Sequence, residues 1–372
     1  MAKKKKVLYI LSSLDHGGVD LSVYRMQQSL DPSLYQCTFC VIQDRVGEFE
    51  KKLVQQGITI IHQPKMDYMQ SYKYYLEMFS SNRFDVVHCN LPFYSGIVML
   101  AAYKSNVPVR ITHSHFSKRL IYENDSKLKE FLSVFYRIVM RRLTGAYSTH
   151  IIGCSKEAGE FVSSKKYFKS KGLVLNNAVD TDKYNYRENE REAVRKALNI
   201  SDRIVLGHIG HLNYIKNQSF LLDIFSQFHK SHGNSVLLLV GGGNDEAMLK
   251  SKAERLNLGK FVVFTGVRDD IPQLLLAMDC MVFPSLHEGF PLTLVEAQAS
   301  KLPCVVSDSV TKSVKLNENF SFVSLDAPVS DWCAKIEEML KMNRQTIDNS
   351  NLVNEFDIKV IGKELEKIYT CN

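Results

Sequence analysis

The sequence predicts an α/β protein made of two doubly wound, parallel-sheet domains, each of the Rossmann type. Short runs rich in Val, Ile and Leu alternate with longer amphipathic segments over most of the 372 residues. This alternation is typical of β-α units that cover a parallel sheet on both faces. The pattern restarts near the middle of the chain, and a chain of this length more often forms two domains than one.

Seven buried runs in the first half are predicted to be strands. They are Val7–Leu11, Cys37–Ile42, Ile58–Ile61, Asp85–Cys89, Val109–Thr112, His150–Gly153 and Leu173–Leu175. The polar, turn-rich segment Asn176–Asp180 follows the last run and is the predicted linker between the domains. We therefore predict domains over residues 1–177 and 178–350, and a C-terminal helix over 351–372 that returns to the N-terminal domain.

Six further runs in the second half are predicted to form a second sheet. They are Arg203–Ile209, Val236–Val240, Phe261–Thr265, Cys280–Phe283, Cys304–Val306 and Phe320–Val323. Each half opens with a buried strand that leads into a glycine-containing turn, at Gly17–Gly18 and at Gly207–Asn217. Ligands of open α/β sheets bind beyond the carboxyl ends of the strands. We therefore expect two domains that face each other across a cleft, with the ligand site in it.

The charge balance and the cysteines narrow the class of protein. The chain has 47 basic and 40 acidic residues, a net charge of +7, which suits an anionic substrate or an acidic membrane surface better than a nucleic acid. Of the eight cysteines, only Cys37 and Cys40 have C-x-x-C spacing. Residues three apart on a strand point to opposite faces, so buried thiols are predicted rather than a zinc site. Scattered thiols indicate a reducing compartment.

Two segments bear on membrane contact. The basic start Lys3–Lys6 runs into a short apolar stretch, which we interpret as the first strand rather than a signal peptide. No apolar run reaches the roughly 18 residues that cross a bilayer, so any membrane contact is expected to be peripheral. The amphipathic segment Lys127–Arg142 carries its positive charge at both ends. It either rests on an anionic membrane or packs on the core.

The strongest local motif runs from Phe283 to Ala297 and reads as a strand end, a polar Gly/Pro turn and a helix. Pro291 suits the first helical turn. Backbone amides at the start of a helix lack partners within it and can receive an anion or a sugar hydroxyl. The residues around this predicted helix start are Gly289, Phe290, Pro291, Leu292 and Thr293.

Two carboxylates belong to the same motif. Glu288 lies in the predicted loop and Glu296 about one turn inside the predicted helix. So placed, they can accept hydrogen bonds from different hydroxyls of one ligand, one on a sugar ring and one on a ribose. The alternative is that Glu288 stabilises the helix start electrostatically and Glu296 faces solvent.

These motifs together resemble those of the retaining GT-B glycosyltransferases of family four, especially the branch that builds capsular and exopolysaccharides. The resemblance covers nearly the whole chain. Its most specific feature is the pair of glutamates with seven residues between them, Glu288 and Glu296. The other matching motifs are Gly17–Gly18, His113-Ser-His115, Ala-Met-Asp279 and Leu302–Asp308.

The resemblance implies roles for several residues at the donor. It implies that Glu296 binds the nucleotide ribose and that Glu288 lies beside the donor sugar. The glycines Gly17 and Gly18 would let backbone amides approach the diphosphate without an intervening side chain. Val267 and Arg268 occupy the stretch that contacts the base in relatives, although a plain strand-to-helix turn explains them as well.

The family neutralises the diphosphate with an Arg and a Lys on the loop that opens the second half. Lys216 matches the Lys, but His211 stands at the Arg position. A neutral histidine donates one hydrogen bond and carries no fixed charge, so leaving-group stabilisation is expected to be weaker or shared with another cation.

In the first half, relatives present a histidine to the donor sugar after the strand predicted at Val109–Thr112. His113 is the preferred match, and His115 is the other candidate; one of the two is expected to be structural. Asn90, which follows the strand predicted at Asp85–Cys89, is another candidate for the cleft, although a turn-forming asparagine explains it more simply.

The expected reaction is transfer of a hexosyl or N-acetylhexosaminyl group, with retention, from a nucleotide-sugar, preferably of UDP. The expected acceptor is a glycan or a lipid-linked acceptor. The protein is expected to be cytoplasmic, with any membrane contact being peripheral and on the inner face of the cell membrane. No metal or other cofactor and no nucleic acid is expected, and charge stabilisation comes from Lys216 and helix-start amides. Alternatives are a non-catalytic nucleotide-sugar-binding subunit and a sugar-nucleotide epimerase. A dehydrogenase is disfavoured because Gly241–Gly243 lacks G-x-G-x-x-G spacing.

Overall fold

The computed structural model describes residues 3–15, 17–116 and 127–370, without the side chains of 127–132. It divides into two compact units. The first unit runs to Ala178 and takes up the chain again at Ile358. The second unit is Val179–Asp357.

The first unit has a parallel sheet covered by helices. Its strands are β1 Lys5–Leu11, β2 Tyr35–Val41, β3 Thr59–His62, β4 Val86–Cys89, β5 Val109–Ser114, β6 His150–Gly153 and β7 Gly172–Val174. Its helices before the linker are α1 Gly18–Gln28, α2 Glu48–Gln55, α3 Tyr68–Ser81, α4 Ser95–Lys104, α5 Lys127–Tyr147, α6 Lys156–Val162 and α7 Lys165–Lys171. Across the described residues the strand order is β3-β2-β1-β4-β5-β6-β7.

The second unit repeats this plan. Its helices are α8 Thr181–Tyr184, α9 Glu188–Ala197, α10 Gln218–Ser231, α11 Glu246–Arg255, α12 Ile271–Ala277, α13 Leu292–Ala299, α14 Val329–Met339 and α15 Ser350–Phe356. Its strands are β8 Ile204–Ile209, β9 Ser235–Val240, β10 Val262–Gly266, β11 Cys280–Phe283, β12 Cys304–Ser307 and β13 Phe320–Val323. Short 3-10 turns occur at Tyr214–Lys216, Lys312–Val314 and Arg344–Thr346. The strand order β10-β9-β8-β11-β12-β13 is that of a Rossmann sheet.

The predicted fold class is confirmed, because both units are parallel α/β sheets and every run predicted as a strand overlaps an observed strand. The central strands are buried on both faces; β4 and β9, for example, have no exposed residue. A strand that packs helices on both faces must be apolar along its length. This requirement explains why the apolar runs located the strands so well.

The chain crosses between units at two segments, and the second differs from the predicted boundary at residue 351. Helix α15 belongs to the second unit, because Leu352 and Phe356 pack in its core. The return to the first unit starts only at α16 Ile358–Thr370, which buries Ile361 and Leu365 in the first core. The break between the two helices falls at Asp357, which bridges Val179 and accepts a hydrogen bond from Thr181.

The paired cysteines Cys37 and Cys40 are free thiols on β2. Cys37 packs with the hydrophobic cluster on one face of the sheet and Cys40 with that on the other. Burial raises the pKa of both thiols to about 12, so neither is a ready thiolate. The prediction of buried structural thiols is therefore confirmed for Cys40, while Cys37 is half-buried.

Candidate active site

Polar loops of the second unit meet beyond the carboxyl ends of β8 and β11. The Leu286 amide donates to the Ile215 carbonyl at 2.8 Å, and Asn217 Nδ2 donates to the Pro284 carbonyl at 3.1 Å. Asn217 adopts the left-handed conformation, with φ of 55°, which lets the chain turn sharply into α10. These bonds join the loop after β8 to the loop after β11, and each loop carries a predicted catalytic residue.

Lys216 and Glu288 are those residues, and they contact each other directly. Lys216 Nζ lies 2.6 Å from Glu288 Oε1, and the two side chains are only 18% and 15% exposed. The ammonium also lies 4.9 Å from the centre of the Phe283 ring, a favourable cation–π position. Asn213 accepts a hydrogen bond from the Lys216 amide at 3.1 Å and fixes the backbone there. The predicted cation and the predicted carboxylate therefore form one partly buried ion pair.

A buried histidine, His208, packs against the aromatic ring that contacts Lys216. His208 stacks on Phe283 with 5.1 Å between ring centres, and its Nδ1 donates to the Val282 carbonyl at 3.0 Å. Burial, together with the nearby charge of Lys216, lowers the pKa of His208 to about 4. His208 is therefore neutral, and it forms with Phe283 a layer beneath Lys216.

His211 occupies the position where the family has an arginine. Its side chain is exposed, while its carbonyl accepts a hydrogen bond from Gln218 Nε2 at 2.9 Å. The same Gln218 amide lies 3.3 Å from His208 Nε2. The backbone of His211 is therefore fixed, and only its exposed imidazole is available to a ligand.

The start of α13 lies where the motif predicts a helix start. Leu292 is the first helical residue and Pro291 immediately precedes it. The ring of Phe290 stacks on Phe356 at 5.8 Å, so it is the backbone of Phe290, rather than its ring, that the loop can offer to a ligand. Gly289 is exposed, and Thr293 is partly exposed.

Glu296 on α13 is 4% exposed. The alternative in which this carboxylate simply faces solvent is therefore wrong. A helical repeat would predict one exposed face for α13, but all of its residues except Thr293 are buried. Glu296 and Gln298 are the two buried polar side chains of α13, and a buried carboxylate costs free energy unless it is paired.

A glycine-rich loop after β9 joins the same edge, and the sequence motifs missed its role. A Cβ on Gly241 would lie 2.1 Å from the Gly210 carbonyl oxygen, and one on Gly243 would lie 2.1 Å from that of Leu212. Gly241 also has φ of +134°, which only glycine adopts easily. These glycines are therefore required by close packing of two backbone loops. Three glycines directly after a buried strand were the available signal.

Val267 and Arg268 follow β10 at this edge. Val267 is 59% exposed, and its side chain lies close to Gly242. Arg268 makes two hydrogen bonds to Asp270, at 2.7 and 2.6 Å. The guanidinium is thus already paired, which leaves Val267 as the freer contact for a planar ligand.

In the first unit, Gly17 and Gly18 lie where β1 leads into α1, and α1 begins at Gly18. A Cβ on Gly18 would meet no atom within 4 Å in the described structure, so the protein's own packing does not require glycine there. Asp20, which the motif did not single out, accepts hydrogen bonds from Ser13 Oγ at 2.7 Å and the Asp15 amide at 2.9 Å. Through these two hydrogen bonds, Asp20 stabilises the loop that leads to the two glycines.

His113 and His115 lie at the end of β5. Their rings stack with 4.2 Å between centres, and His115 Nε2 donates to Asn90 Oδ1 at 3.0 Å. Asn90 therefore holds His115 rather than only forming a turn. Burial lowers the pKa of His115 to about 4 and that of His113 well below its usual value. Within the described part of the chain, His113 Nε2 has no hydrogen-bond partner.

Neither a metal cluster nor a membrane-spanning helix is found in the part of the chain that the structure describes. Its described residues hold no group of three or more His, Cys, Asp or Glu side chains that could bind a metal ion. None of its described helices is long and apolar enough to cross a bilayer.

Comparison with known proteins agrees with this architecture. Residues 16–183 match the family model Glycosyltransferase Family 4, and residues 190–353 match Glycosyl transferases group 1. The putative glycosyltransferase EpsF of Bacillus subtilis (strain 168) is 28% identical over 342 residues, which cover 90% of this chain and 88% of EpsF. The capsular polysaccharide biosynthesis glycosyltransferase CapH of Staphylococcus aureus is 25% identical over 371 residues, 98% of each chain.

A solved structure shows the same fold. HepE of Anabaena, in complex with UDP-glucose, superposes with a TM-score of 0.77 at 20% sequence identity, covering 97% of this chain and 98% of HepE. The fold and these matches define a glycosyltransferase of the GT-B class. Residues 16–183 of this chain resemble glycosyltransferase family 4, and residues 190–353 resemble glycosyl transferases group 1.

Proposed function

We propose that this glycosyltransferase moves a sugar, with retention of anomeric configuration, from a UDP-sugar to a glycan or lipid-linked acceptor during cell-surface polysaccharide synthesis. The observation that carries the proposal is the ion pair of Lys216 with Glu288, which lies at the carboxyl edge of the second sheet. Ligands of Rossmann-type sheets bind at this edge. The complex of HepE with UDP-glucose and the role of CapH in capsule synthesis support the donor and the pathway.

The proposed leaving-group site uses Lys216 and the start of α13. When the sugar–diphosphate bond breaks, negative charge develops on the diphosphate. Lys216 would stabilise that charge, together with the backbone N–H groups of Gly289, Phe290, Leu292 and Thr293, because fixed donors in a partly buried site need little reorganisation. Glu288 would lie beside the donor sugar, and Glu296 would accept hydrogen bonds from the ribose.

The proposed bond exchange needs no covalent enzyme intermediate. The bond between the anomeric carbon and the diphosphate oxygen breaks, and the acceptor hydroxyl oxygen bonds to the anomeric carbon on the same face. The acceptor proton leaves with the departing diphosphate. In this scheme the protein positions both substrates and stabilises charge, and no metal or other cofactor takes part.

For the first unit, we propose that Gly17 and Gly18 admit a donor phosphate and that His113 contacts the donor sugar. Gly18 has free space where a side chain would be, and His113 has a buried nitrogen without a partner in the described structure. His115, held by Asn90, is the structural member of the pair.

The test is a panel of UDP-, GDP- and ADP-sugars with a chelator present, in which nucleotide release is measured with membrane-extracted acceptors. We expect acceptor-dependent release from a UDP-sugar. The variants Lys216→Ala and Glu288→Gln should lower kcat by about 100- to 1000-fold, the usual loss of one charge-stabilising group. Lys250→Ala removes a more exposed lysine from the same unit and should leave kcat unchanged. The product's anomeric configuration, read by NMR, tests retention.

Two outcomes would contradict the proposal. Binding of a UDP-sugar without release from any donor, even with acceptor present, would indicate a non-catalytic subunit. Release that depends on added divalent metal would show that protein groups alone do not stabilise the leaving group.

We also propose that the protein works on the cytoplasmic side of the membrane and rests on it. The described cysteines are free thiols, as expected in a reducing compartment. Helix α5 exposes Val134, Phe135 and Ile138, and Tyr68 of α3 is also exposed and stacks on Tyr136. The side chains of 127–132, part of the predicted amphipathic segment, lie outside the described residues.

Vesicle flotation tests this membrane contact. We expect the protein to float with anionic vesicles, and a Phe135→Ser, Ile138→Ser variant to lose flotation because apolar insertion is removed. Ala146→Ser, at an exposed position of the same helix, should float normally. Equal behaviour of both variants would contradict the proposal.

A further inference from the structure

A hydrogen-bonded chain of four buried side chains runs through the core of the first unit. Tyr369 Oη donates to Tyr9 Oη at 2.9 Å and lies 2.7 Å from His88 Nδ1. His88 Nε2 lies 3.1 Å from His113 Nδ1. All four side chains are fully buried. The chain therefore links the C-terminal helix, through β4, to the predicted ligand-binding histidine on β5.

Each histidine in this chain is neutral. Burial lowers the pKa of His88 to about 3 and that of His113 well below its usual value. Burial also raises the pKa of Tyr9 and Tyr369, so both phenols keep their protons. A neutral imidazole carries one N–H and one bare nitrogen, so each ring can donate at one nitrogen only.

The direction of the first bond sets the tautomer of both histidines. Because Tyr369 gives its proton to Tyr9, its oxygen must accept from His88, and His88 carries its proton on Nδ1. His88 Nε2 is then bare and accepts from Nδ1–H of His113. The remaining nitrogen, His113 Nε2, is left bare and buried, without a partner in the described residues.

The ring geometry agrees with this assignment. The planes of His88 and His113 differ by only 20° and the ring centres lie 5.3 Å apart. This separation is close to the 3.1 Å between the two nitrogens plus the radii of the two rings, so the bond lies near the plane of both rings, as a bond to an imidazole nitrogen requires. His115 stacks against His113 at 4.2 Å and prevents the ring from tilting. His113 Nε2 is thus held at one position and in one protonation state.

We propose that Tyr369 and His88 are positioning residues that fix His113 with Nε2 as a hydrogen-bond acceptor, so that the site selects an uncharged sugar hydroxyl. A hydroxyl has a proton to donate to this nitrogen, whereas a carboxylate or phosphate oxygen has none. The identity of the ligand rests on the proposed function, but the tautomer does not. The inference therefore concerns sugars with a free hydroxyl at this point, in preference to uronates or sugar phosphates.

Nitrogen NMR of the protein labelled with ¹⁵N-histidine tests the tautomer in the resting protein. We expect His113 to carry its proton on Nδ1, with the signal assigned from a His113→Gln spectrum. Tyr369→Phe removes the acceptor of His88 Nδ1–H, and Tyr9→Phe frees the Tyr369 hydroxyl to donate to that nitrogen. In either variant the bond that fixes the proton on His88 Nδ1 is lost, and each tautomer of the histidine pair then leaves one buried donor unpaired. Because this penalty is similar in the two states, His88 should no longer be held in one tautomer, and His113 should show a measurable population of Nε2–H.

Tyr35→Phe is the matched control, since Tyr35 is buried beside Tyr369 but lies outside the chain of bonds. It should leave both tautomers unchanged. Wild-type His113 with Nε2–H, or unchanged tautomers in both chain variants, would overturn the proposal. The use of two variants keeps the test valid if one of them fails to fold.

Kinetics supply a second readout. If Nε2 accepts a sugar hydroxyl, the loss of a single tautomer in Tyr9→Phe should raise KM for the preferred donor by up to about tenfold, the effect of one hydrogen bond, with kcat little changed. An unchanged KM despite a changed tautomer population would overturn the assignment of the ligand. Absence of transfer from every donor would instead contradict the proposed function and leave the NMR result standing.

Discussion

At the scale of single residues, the ion pair of Lys216 and Glu288 means that the predicted cation and carboxylate neutralise each other before ligand binds. A diphosphate would compete with Glu288 for the ammonium, and a sugar hydroxyl would replace the ammonium at Glu288. Both exchanges are favourable only together, because leaving either charge unpaired in a partly buried site costs free energy. The pair therefore favours a ligand that carries both groups, as a nucleotide-sugar does.

His211 is the residue at which this chain departs from its family. We predict that His211→Arg raises kcat/KM for the preferred UDP-sugar by about three- to tenfold, because a guanidinium adds a fixed charge and a paired set of donors for phosphate. The change should be safe for folding, since the His211 side chain is exposed. Steady-state kinetics measure it. A lower kcat/KM in the variant would indicate that the imidazole itself has a role that arginine cannot fill.

Glu296 allows a separate test of nucleotide binding. We predict that Glu296→Gln weakens UDP binding by about 10- to 100-fold, because a hydrogen bond to a charged acceptor is replaced by one to a neutral amide. Isothermal titration calorimetry with UDP alone measures the effect without requiring turnover. Glu254→Gln, a change in the same unit but away from the motif, is the control. Equal affinity of the Glu296→Gln variant and the wild-type protein would remove the ribose-binding role.

At the scale of elements, helix α16 packs on α1 through a glycine. A Cβ on Gly362 would lie 2.5 Å from the carbonyl oxygen of Ser29, which follows α1. In an ordinary helix interior, Gly→Ala stabilises by about 0.5 to 1 kcal/mol. Here we predict the opposite effect. Gly362→Ala should lower the free energy of unfolding by about 1 to 3 kcal/mol, because the two backbones must move apart to admit the methyl group.

Urea unfolding of the full-length protein, followed by circular dichroism, measures this effect. Lys363→Ala, at an exposed position of the same helix, is the control and should change stability by less than about 0.5 kcal/mol. A more stable Gly362→Ala variant would show that the close approach is not maintained in solution.

At the scale of the whole molecule, four buried histidines make stability depend on pH. Burial lowers the pKa of His88 to about 3, of His115 and His208 to about 4, and of His113 well below its usual value. Below about pH 6.5 the unfolded chain protonates these groups while the folded protein does not. The free energy of unfolding is therefore fully retained above pH 6.5 and decreases as the pH falls toward 4. At pH 5 the loss is about 2 kcal/mol for each of these histidines.

Unfolding curves at pH 7 and pH 5 measure this loss. We predict that His208→Gln makes the loss of unfolding free energy between pH 7 and pH 5 smaller by about 2 kcal/mol, which is the contribution of one buried histidine. His287→Gln changes an exposed histidine of the second unit and should leave the pH dependence as in the wild-type protein. If His208→Gln behaved like that control, His208 would have to be protonated in the folded state.

The sequence by itself determined the number of strands, their places and the two-unit plan. Central strands of a parallel sheet are buried on both faces and must be apolar, so each one leaves a local signal. The motif around Glu288 and Glu296 was equally local, since a strand end, a turn and a helix start lie within 15 consecutive residues, 283–297.

Only the tertiary structure decided which side chains meet. The contact of Lys216 with Glu288 joins residues on two separate loops, and the bonds from Tyr9 to Tyr369 and from Tyr369 to His88 join opposite ends of the chain. No periodicity predicts such pairs, because they depend on strand order and on where helix α16 packs. For the same reason the burial of Glu296 and the role of Gly241 were decided by neighbours that are distant in sequence.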